Sequence, residues 1–370
     1  MHNMSYGNYP DLSRVERILV VKLRHHGDVL LTSPVFSLLK KRFPDAQIDA
    51  LIYKETLPML EGHPAIENFV TYDQKIKKRS LFVRLWKEAQ LLLGIRKKRY
   101  DLVLNLTEGD RGAIVALLSG AKCRAGFDPG KSGFIGKKRI YTHIAKAPRT
   151  PRHTVEKQLD LLRRVGIFPE VNEKELFFHV PDSARKKIEA HLKEAGLEEG
   201  GFFLIHPVSR WRFKCPPPAF TAELIRRLGG RVVLSSGPDA EERAFIQEIV
   251  KDLPDGSFLD LGGKMTLKEL GALIELSRCL ICVDSVPLHI ASALKTPVVA
   301  LFGPSSEINW GPWQNPRAKV VAQPFSCRPC FMDGCGGSKR SECLYTLSTS
   351  QVTQAVEELG IPVLNLVQKN

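Results

Sequence analysis

"RILVVKLRHHGDVLLTSPVF", Arg17 to Phe36, is the stretch on which the reading of this chain turns. Its first six residues are short, β-branched and bounded by charge, the pattern of a strand buried on both faces of a parallel sheet. From Val29 onward, apolar residues recur at helical spacing. Two histidines, a glycine and an aspartate lie between, so this polar cluster sits at a strand's carboxyl end. Open α/β sheets bind ligands there, because loop amides and helix N-termini converge.

The same alternation continues on either side of a central break. One series runs through "RILVVK", "QIDALIY", "YDLVLNL" and "CRAGF", with the helical stretches "LFVRLWKEAQLLLGIRKK" and "RGAIVALLSG" between them. A second opens at "GFFLIHPVS" and continues through "RVVLSSG", "SFLDLGG", "CLICVDS" and "TPVVALFG". Helical segments separate these, among them "PAFTAELIRRLG", "TLKELGALIELS" and "VPLHIASALK". Such alternation predicts parallel sheets covered by helices, and two series predict two Rossmann-like domains facing a central cleft. The 370 residues suit two domains of ordinary size. The boundaries are set at residues 1–180 and 181–345. Residues 346–370 then form a C-terminal segment whose helix has the N-terminal domain as its candidate docking surface.

Composition narrows the class further. A hydrophobic content of 43% with 25% charged residues describes a soluble globular chain. No apolar run approaches the roughly eighteen residues of a bilayer span. "MHNMSYGNYPDLSRVE" carries neither an apolar core nor a basic start, so a cytoplasmic location is expected. The net charge of +14 calls for an anionic partner: nucleic acid, a membrane surface or a phosphorylated substrate. Much of that charge lies in the first half, in "QKIKKRS", "GIRKKRYD", "GKKRIYTH" and "KAPRTPRH". Each of these runs is equally well read as a solvated face.

Several stretches carry candidate chemistry. "GFDPGKSG" is not a Walker loop, because only three residues separate Gly126 from Gly130 where that loop needs four. In "ICVDSVPLHIASAL" an apolar strand ends at Asp284. Ser285 then stands at a helix N-cap, Pro287 lies in the first turn and His289 one turn in. Amides at such a helix start suit a diphosphate, although a cap and a buried histidine explain the same residues. In "IHPVSRWRFKCPP" the strand is followed by Ser209, Arg210, Arg212 and Lys214, whose hydroxyl and cations suit diphosphate oxygens; a solvated basic loop is the plain alternative. Glu241 and Glu242, in "SGPDAEERAF", stand where an acid accepts from ribose hydroxyls in dinucleotide folds, and equally where the helix macrodipole favours acids. Cys327, Cys330, Cys335 and Cys343 are a candidate structural zinc set, set against free thiols.

Taken in order from Arg17 to about Gly360, these stretches resemble the ADP-heptose lipopolysaccharide heptosyltransferases of glycosyltransferase family 9. "LRHHGDVLLTSPV" is most similar to the branch called heptosyltransferase III. The resemblance implies a GT-B architecture, with the acceptor on the N-terminal domain and the nucleotide sugar on the C-terminal one. It implies that Asp28, after Gly27, is the general base, and it aligns the lysine that closes the family's first strand with Lys22. Ser209 and Lys214 match its donor loop, and Asp284, Ser285 and His289 its Asp-Ser/Thr-Gly-x-x-His element. Met265 would lie near adenine and Glu241 or Glu242 on the ribose. Val286 replaces the glycine found in many members, and Cys215 the large residue that often follows the lysine.

The reaction so implied is an inverting transfer of heptose from ADP-heptose to a heptose of the phosphorylated inner core, with no cofactor required. Asp28 would take the hydroxyl proton in a cleft that desolvates it on closure, while Ser209, Lys214 and the helix start at Ser285 stabilise departing ADP. Lys22, Arg24 and Arg111 are acceptor-side candidates, and His25 and His26 flank the base. The lipid-anchored acceptor places the enzyme at the anionic inner face of the cytoplasmic membrane, as a peripheral protein. Alternatives are a heptosyltransferase of type I or II, a sugar-nucleotide epimerase, or a basic nucleic-acid binder. The last lacks any helix-turn-helix, finger or aromatic RNP pattern, so no nucleic-acid partner is expected.

Overall fold

In the computed structural model, residues 9–229 and 231–363 are described. The N-terminal stretch read above for a leader falls partly outside them, as does the end of the 346–370 segment. The chain folds as two compact units that divide between Phe177 and Phe178.

The first unit is a six-stranded parallel sheet of β1 (Arg17–Lys22), β2 (Gln47–Tyr53), β3 (Asn68–Tyr72), β4 (Leu102–Asn105), β5 (Cys123–Phe127) and β6 (His143–Ala145). Its spatial order is β3-β2-β1-β4-β5-β6. Ile18 to Val21 are completely buried, because helices cover both faces of the sheet. The single helix suggested by "VLLTSPVFSLLKKRF" is instead two, His26–Leu30 and Ser33–Arg42. Pro34 stands in the opening turn of the second helix, where its missing N–H costs nothing. Lys40, Lys41 and Arg42 then close the second helix, where cations meet the negative end of its dipole.

The second unit repeats the plan with β7 (Phe203–His206), β8 (Val232–Leu234), β9 (Phe258–Asp260), β10 (Cys279–Val283), β11 (Val298–Phe302) and β12 (Ala318–Ala322). Their order is β12-β11-β10-β7-β8-β9, all parallel. The helix Thr349–Glu357 packs on the helix Pro218–Leu228 and on β12, and its Val352, Ala355 and Val356 belong to this unit's core. Three edge strands, β3, β6 and β12, are absent from the sequence reading.

In both sheets the connections run outward in opposite directions from a central pair, β1 with β4 and β7 with β10. Each pair defines a switch point at its carboxyl end.

Candidate active site

At the switch point of the first sheet stand the residues that follow β1. Lys22 is the last residue of the strand and almost wholly buried. Its Nζ donates to the Leu106 carbonyl beyond β4 at 3.1 Å and lies 4.0 Å from Asp28 Oδ1. Arg24 Nε lies 3.9 Å from Asp28 Oδ2, so each oxygen of that carboxylate faces a cation. Burial brings the Lys22 amine down to about 8, against the opposing pull of Asp28. The loop that presents them is pinned across the strands. Leu23 N donates to Thr107 Oγ1 at 2.8 Å, and Thr107 N in turn donates to Asn105 Oδ1 at 3.0 Å.

The neighbouring histidines divide in role. His25 is the N-cap of the short helix His26–Leu30, in extended backbone. His26 is held below the usual histidine range by burial, and its Nε2 lies 2.9 Å from the Glu55 carbonyl. A neutral ring must donate from Nε2 to that carbonyl, which leaves Nδ1 as an acceptor. Arg111 is already engaged within this unit. Its guanidinium stacks 3.9 Å from the Tyr72 ring centre and pairs with Glu88 at 3.2 Å. Lys137, from the basic run "GKKRIYTH", is neither solvated nor partner-facing: it is buried, 3.0 Å from Asp110 and bonded to the Glu108 carbonyl.

In the second unit the donor candidates line the carboxyl ends of four successive strands of the sheet. Ser209 and Lys214 follow β7, and Asp284 and Ser285 follow β10 beside it. The two loops are joined directly, Lys214 Nζ lying 2.6 Å from Asp284 Oδ2 with the carboxylate side chain 7% exposed. Ser285 caps the nine-residue helix Val286–Leu294 in extended backbone, but its hydroxyl bonds to the Val283 carbonyl and not to the helix amides. Those first amides therefore have no side-chain cap, and Val286 and Pro287 occupy the opening turn. His289 is buried one turn further on.

Glu241 and Glu242 follow β8 and differ in what they touch. Asp239 caps their helix through the Glu241 amide; Glu241 is exposed, whereas Glu242 accepts from Gly237 N at 2.7 Å and is raised by burial. Met265 is half-buried after β9, just ahead of the capping box formed by Thr266 and Glu269. Arg210 lies 5.3 Å from the Trp211 ring, and Arg212 stacks on Phe245 at 3.8 Å. Cys215 is buried, with its thiol pushed up to about 11 by that burial.

The zinc reading of the cysteines needs correction. Among the described residues no group of three or more His, Cys, Asp or Glu is placed to hold a metal, and all eight cysteines are free. Cys343 is buried and its thiol raised to about 11, whereas Cys327 and Cys335 are exposed. A shared site requires deprotonated sulfurs converging on one point, and spacing in sequence does not supply that.

Two features of the site escaped the sequence reading. Asn105 and Thr107 end an apolar strand in polar residues, the same signal that singled out Asp28, and they hold the Asp28 loop in place. Ser305 follows β11, and its buried hydroxyl has no hydrogen-bond partner among the described residues.

Two doubly wound units, each with polar and charged side chains at its switch point, make up the GT-B architecture. Residues 89–339 match the profile of glycosyltransferase family 9 (heptosyltransferase), and the chain belongs to that family. It is 36% identical over 296 residues to lipopolysaccharide heptosyltransferase 3 of Escherichia coli, covering 79% of this chain and 85% of that one. Among solved structures it is similar to a family 9 glycosyltransferase from Veillonella parvula, with a TM-score of 0.78 and 23% identity over 93% of this chain and 97% of that one. It is also similar in fold to the E. coli ADP-heptose lipopolysaccharide heptosyltransferase II, with a TM-score of 0.72 and 22% identity over 93% and 98%. The chain is thus a glycosyltransferase. No helix among the described residues is long and apolar enough to cross a membrane.

Proposed function

We propose that this enzyme is an inverting heptosyltransferase of type III, moving heptose from ADP-heptose to a heptose of the lipopolysaccharide inner core. Family membership and the likeness to heptosyltransferase 3 support the donor and the acceptor class. The residue assignment rests on one observation above all: Lys214 and Asp284 tie together the loops after β7 and β10, beside a helix start without a side-chain cap.

In this reading the second unit binds the donor and the first binds the acceptor. An acceptor hydroxyl attacks the anomeric carbon from the face opposite the diphosphate. As the new carbon–oxygen bond forms, the bond to the β-phosphate breaks and ADP departs with the electron pair, which inverts the anomeric centre. Asp28 takes the hydroxyl proton. Lys214 turns from Asp284 toward the diphosphate; with Ser209, Ser285, Arg210 and the amides from Val286 onward it faces negative charge that grows in the transition state. Glu241, with Glu242 behind it, serves the ribose, Met265 the adenine, and His289 supports the helix start from within. Lys22, Arg24, His25, His26 and Arg111 serve the acceptor, whose phosphates match the first unit's cations. A lipid-anchored acceptor places this work at the cytoplasmic face of the inner membrane.

The test is transfer from ADP-heptose to truncated inner core, followed by mass spectrometry, for the parent and for Asp28→Asn. Product one heptose heavier, made by the parent and nearly lost in the variant while ADP still binds, is the expected result. Conversion of ADP-heptose without acceptor, or undiminished transfer by the variant, overturns the assignment.

A further inference from the structure

The helix Leu81–Lys97 has seventeen residues, of which only Ile95 is buried. Glu88, Leu91 and Leu92 are half-buried with Ile95, so that side faces the unit. On the opposite side Phe82, Trp86, Ala89 and Leu93 follow one another at spacings of four, three and four, a continuous helical stripe. Phe82 is 78% exposed, Trp86 50% and Leu93 61%. A surface helix of a soluble domain carries polar residues on that side.

The exposed apolar surface continues onto its neighbours. The helix Asp110–Ser119 packs alongside, tied by the Glu88–Arg111 pair, and exposes Ile114, Leu117 and Leu118. Beyond it, the loop anchored by Lys137 on Asp110 exposes Phe134 and leaves Ile135 wholly open. A patch shared by three adjoining elements marks a surface that something covers.

Charge says what covers it. Between Gln74 and Arg99 the sequence holds ten Lys and Arg against one acid, Glu88, and that acid is paired within the unit. Lys75, Lys78 and Arg79 lead exposed into the helix, and Lys87 lies 4.8 Å from the Trp86 ring. A second copy of this chain would set cations against cations across such a patch. An anionic bilayer offers both halves of the match: headgroup charge for the Lys and Arg, and the acyl boundary for Phe82, Trp86 and Leu93.

We infer that the outer face of Leu81–Lys97, with the adjoining Asp110–Ser119 and Phe134–Ile135 surfaces, is a membrane-docking face that lies in the plane of an anionic lipid interface. The inference deepens the proposed function, resting on its lipid-anchored acceptor for the membrane involved. The helix does not span: it docks, and holds the first unit beside lipid-borne substrate.

The test uses the full chain with vesicles of phosphatidylethanolamine and phosphatidylglycerol, and with vesicles of phosphatidylcholine alone. The parent is expected to sediment with the anionic vesicles and not with the neutral ones. Phe82→Ser/Trp86→Ser/Leu93→Ser together should weaken that binding by at least about tenfold, since a stripe of large apolar side chains supplies the buried area. Turnover on a delipidated, water-soluble core acceptor should be unchanged, because none of the three is in the catalytic machinery. If the triple variant fails to fold, quenching by brominated lipid of fluorescence present in the parent and missing in Trp86→Phe gives the same answer. Absence of parental binding to anionic vesicles, binding unaffected by the substitutions, or a parental dimer that they dissolve would each overturn the docking face. Vesicle binding is read without substrate, so a protein that binds lipid and transfers no heptose refutes the proposed reaction and leaves the docking face standing.

Discussion

Lys214 Nζ lies 2.6 Å from Asp284 Oδ2, a contact between residues seventy positions apart that joins the loops after β7 and β10. The lysine's charge is answered by a carboxylate side chain that is only 7% exposed. In the proposed reading a diphosphate would compete for the same cation, which would couple donor binding to the Asp284 contact. Lys214→Ala should lower kcat/KM by about a hundredfold or more, by removing the cation proposed to face the leaving group. Asp284→Asn and Lys214→Ala combined should cost less than the sum of the two in free energy, since they share one interaction. Steady-state kinetics of the two single variants and the double variant check this, and strict additivity would separate the two residues.

Asp28 is flanked by Lys22 and Arg24 at 4.0 and 3.9 Å, an arrangement that orients a carboxylate without a direct hydrogen bond from either. Asp28→Asn keeps the shape and removes the carboxylate proposed as the proton acceptor. Turnover should fall by about a hundred- to ten-thousandfold, the range for loss of a general base, with ADP affinity by calorimetry unchanged. Weaker ADP binding of the same size would point to a donor-side role instead.

Lys22 supplies a pH dependence. Its amine titrates at about 8, well below its ordinary 10.5, because burial disfavours the charged form. The charge facing Asp28 is present below that point and is lost as the pH rises through it, so transfer should decline on the alkaline side with a midpoint near 8. The stability effect has the opposite sign. Between about 8 and 10.5 the unfolded chain holds the proton and the folded chain does not, so this residue's contribution to stability rises with pH across that window. Lys22→Met should remove the alkaline limb from the rate profile. A limb that persists in Lys22→Met assigns it to another group.

Gly112 tests the scaffold behind Asp28. A Cβ added there would collide with Asn105 Oδ1, the atom that accepts from Thr107 N. Gly112→Ala should displace Asn105, loosen the Thr107 bond to Leu23 N, and cost about 1–3 kcal/mol in a chemical denaturation experiment, as overpacking does. Turnover should fall more than ADP affinity, because the disturbance reaches the Asp28 loop; equal losses would mean general unfolding.

The buried strands were legible in the sequence because both of their faces are covered, which makes β1, β4, β7, β8, β10 and β11 apolar runs, whereas Asp49 and Arg124 interrupt β2 and β5. The missed strands lie at sheet edges. β3 and β12 show mostly half-buried or exposed residues and β6 is three residues long, so hydrophobicity leaves little trace in them. The polar residues at strand ends were equally legible where they interrupt an apolar run, as at Asp28, Ser209 and Asp284. Arg111 and Lys137 were not, because a basic residue reads alike whether it is solvated, stacked on Tyr72 or buried against Asp110.

The order of residues along the chain determined by itself that two parallel α/β units would form, and which strand ends would carry polar side chains, since periodicity and strand-end polarity are local properties. Only the tertiary structure decided which charges meet. The pairing of Lys214 with Asp284 and the Thr107 brace on Leu23 both depend on strand order. Those contacts join residues far apart in sequence, and no local pattern encodes the distance between them.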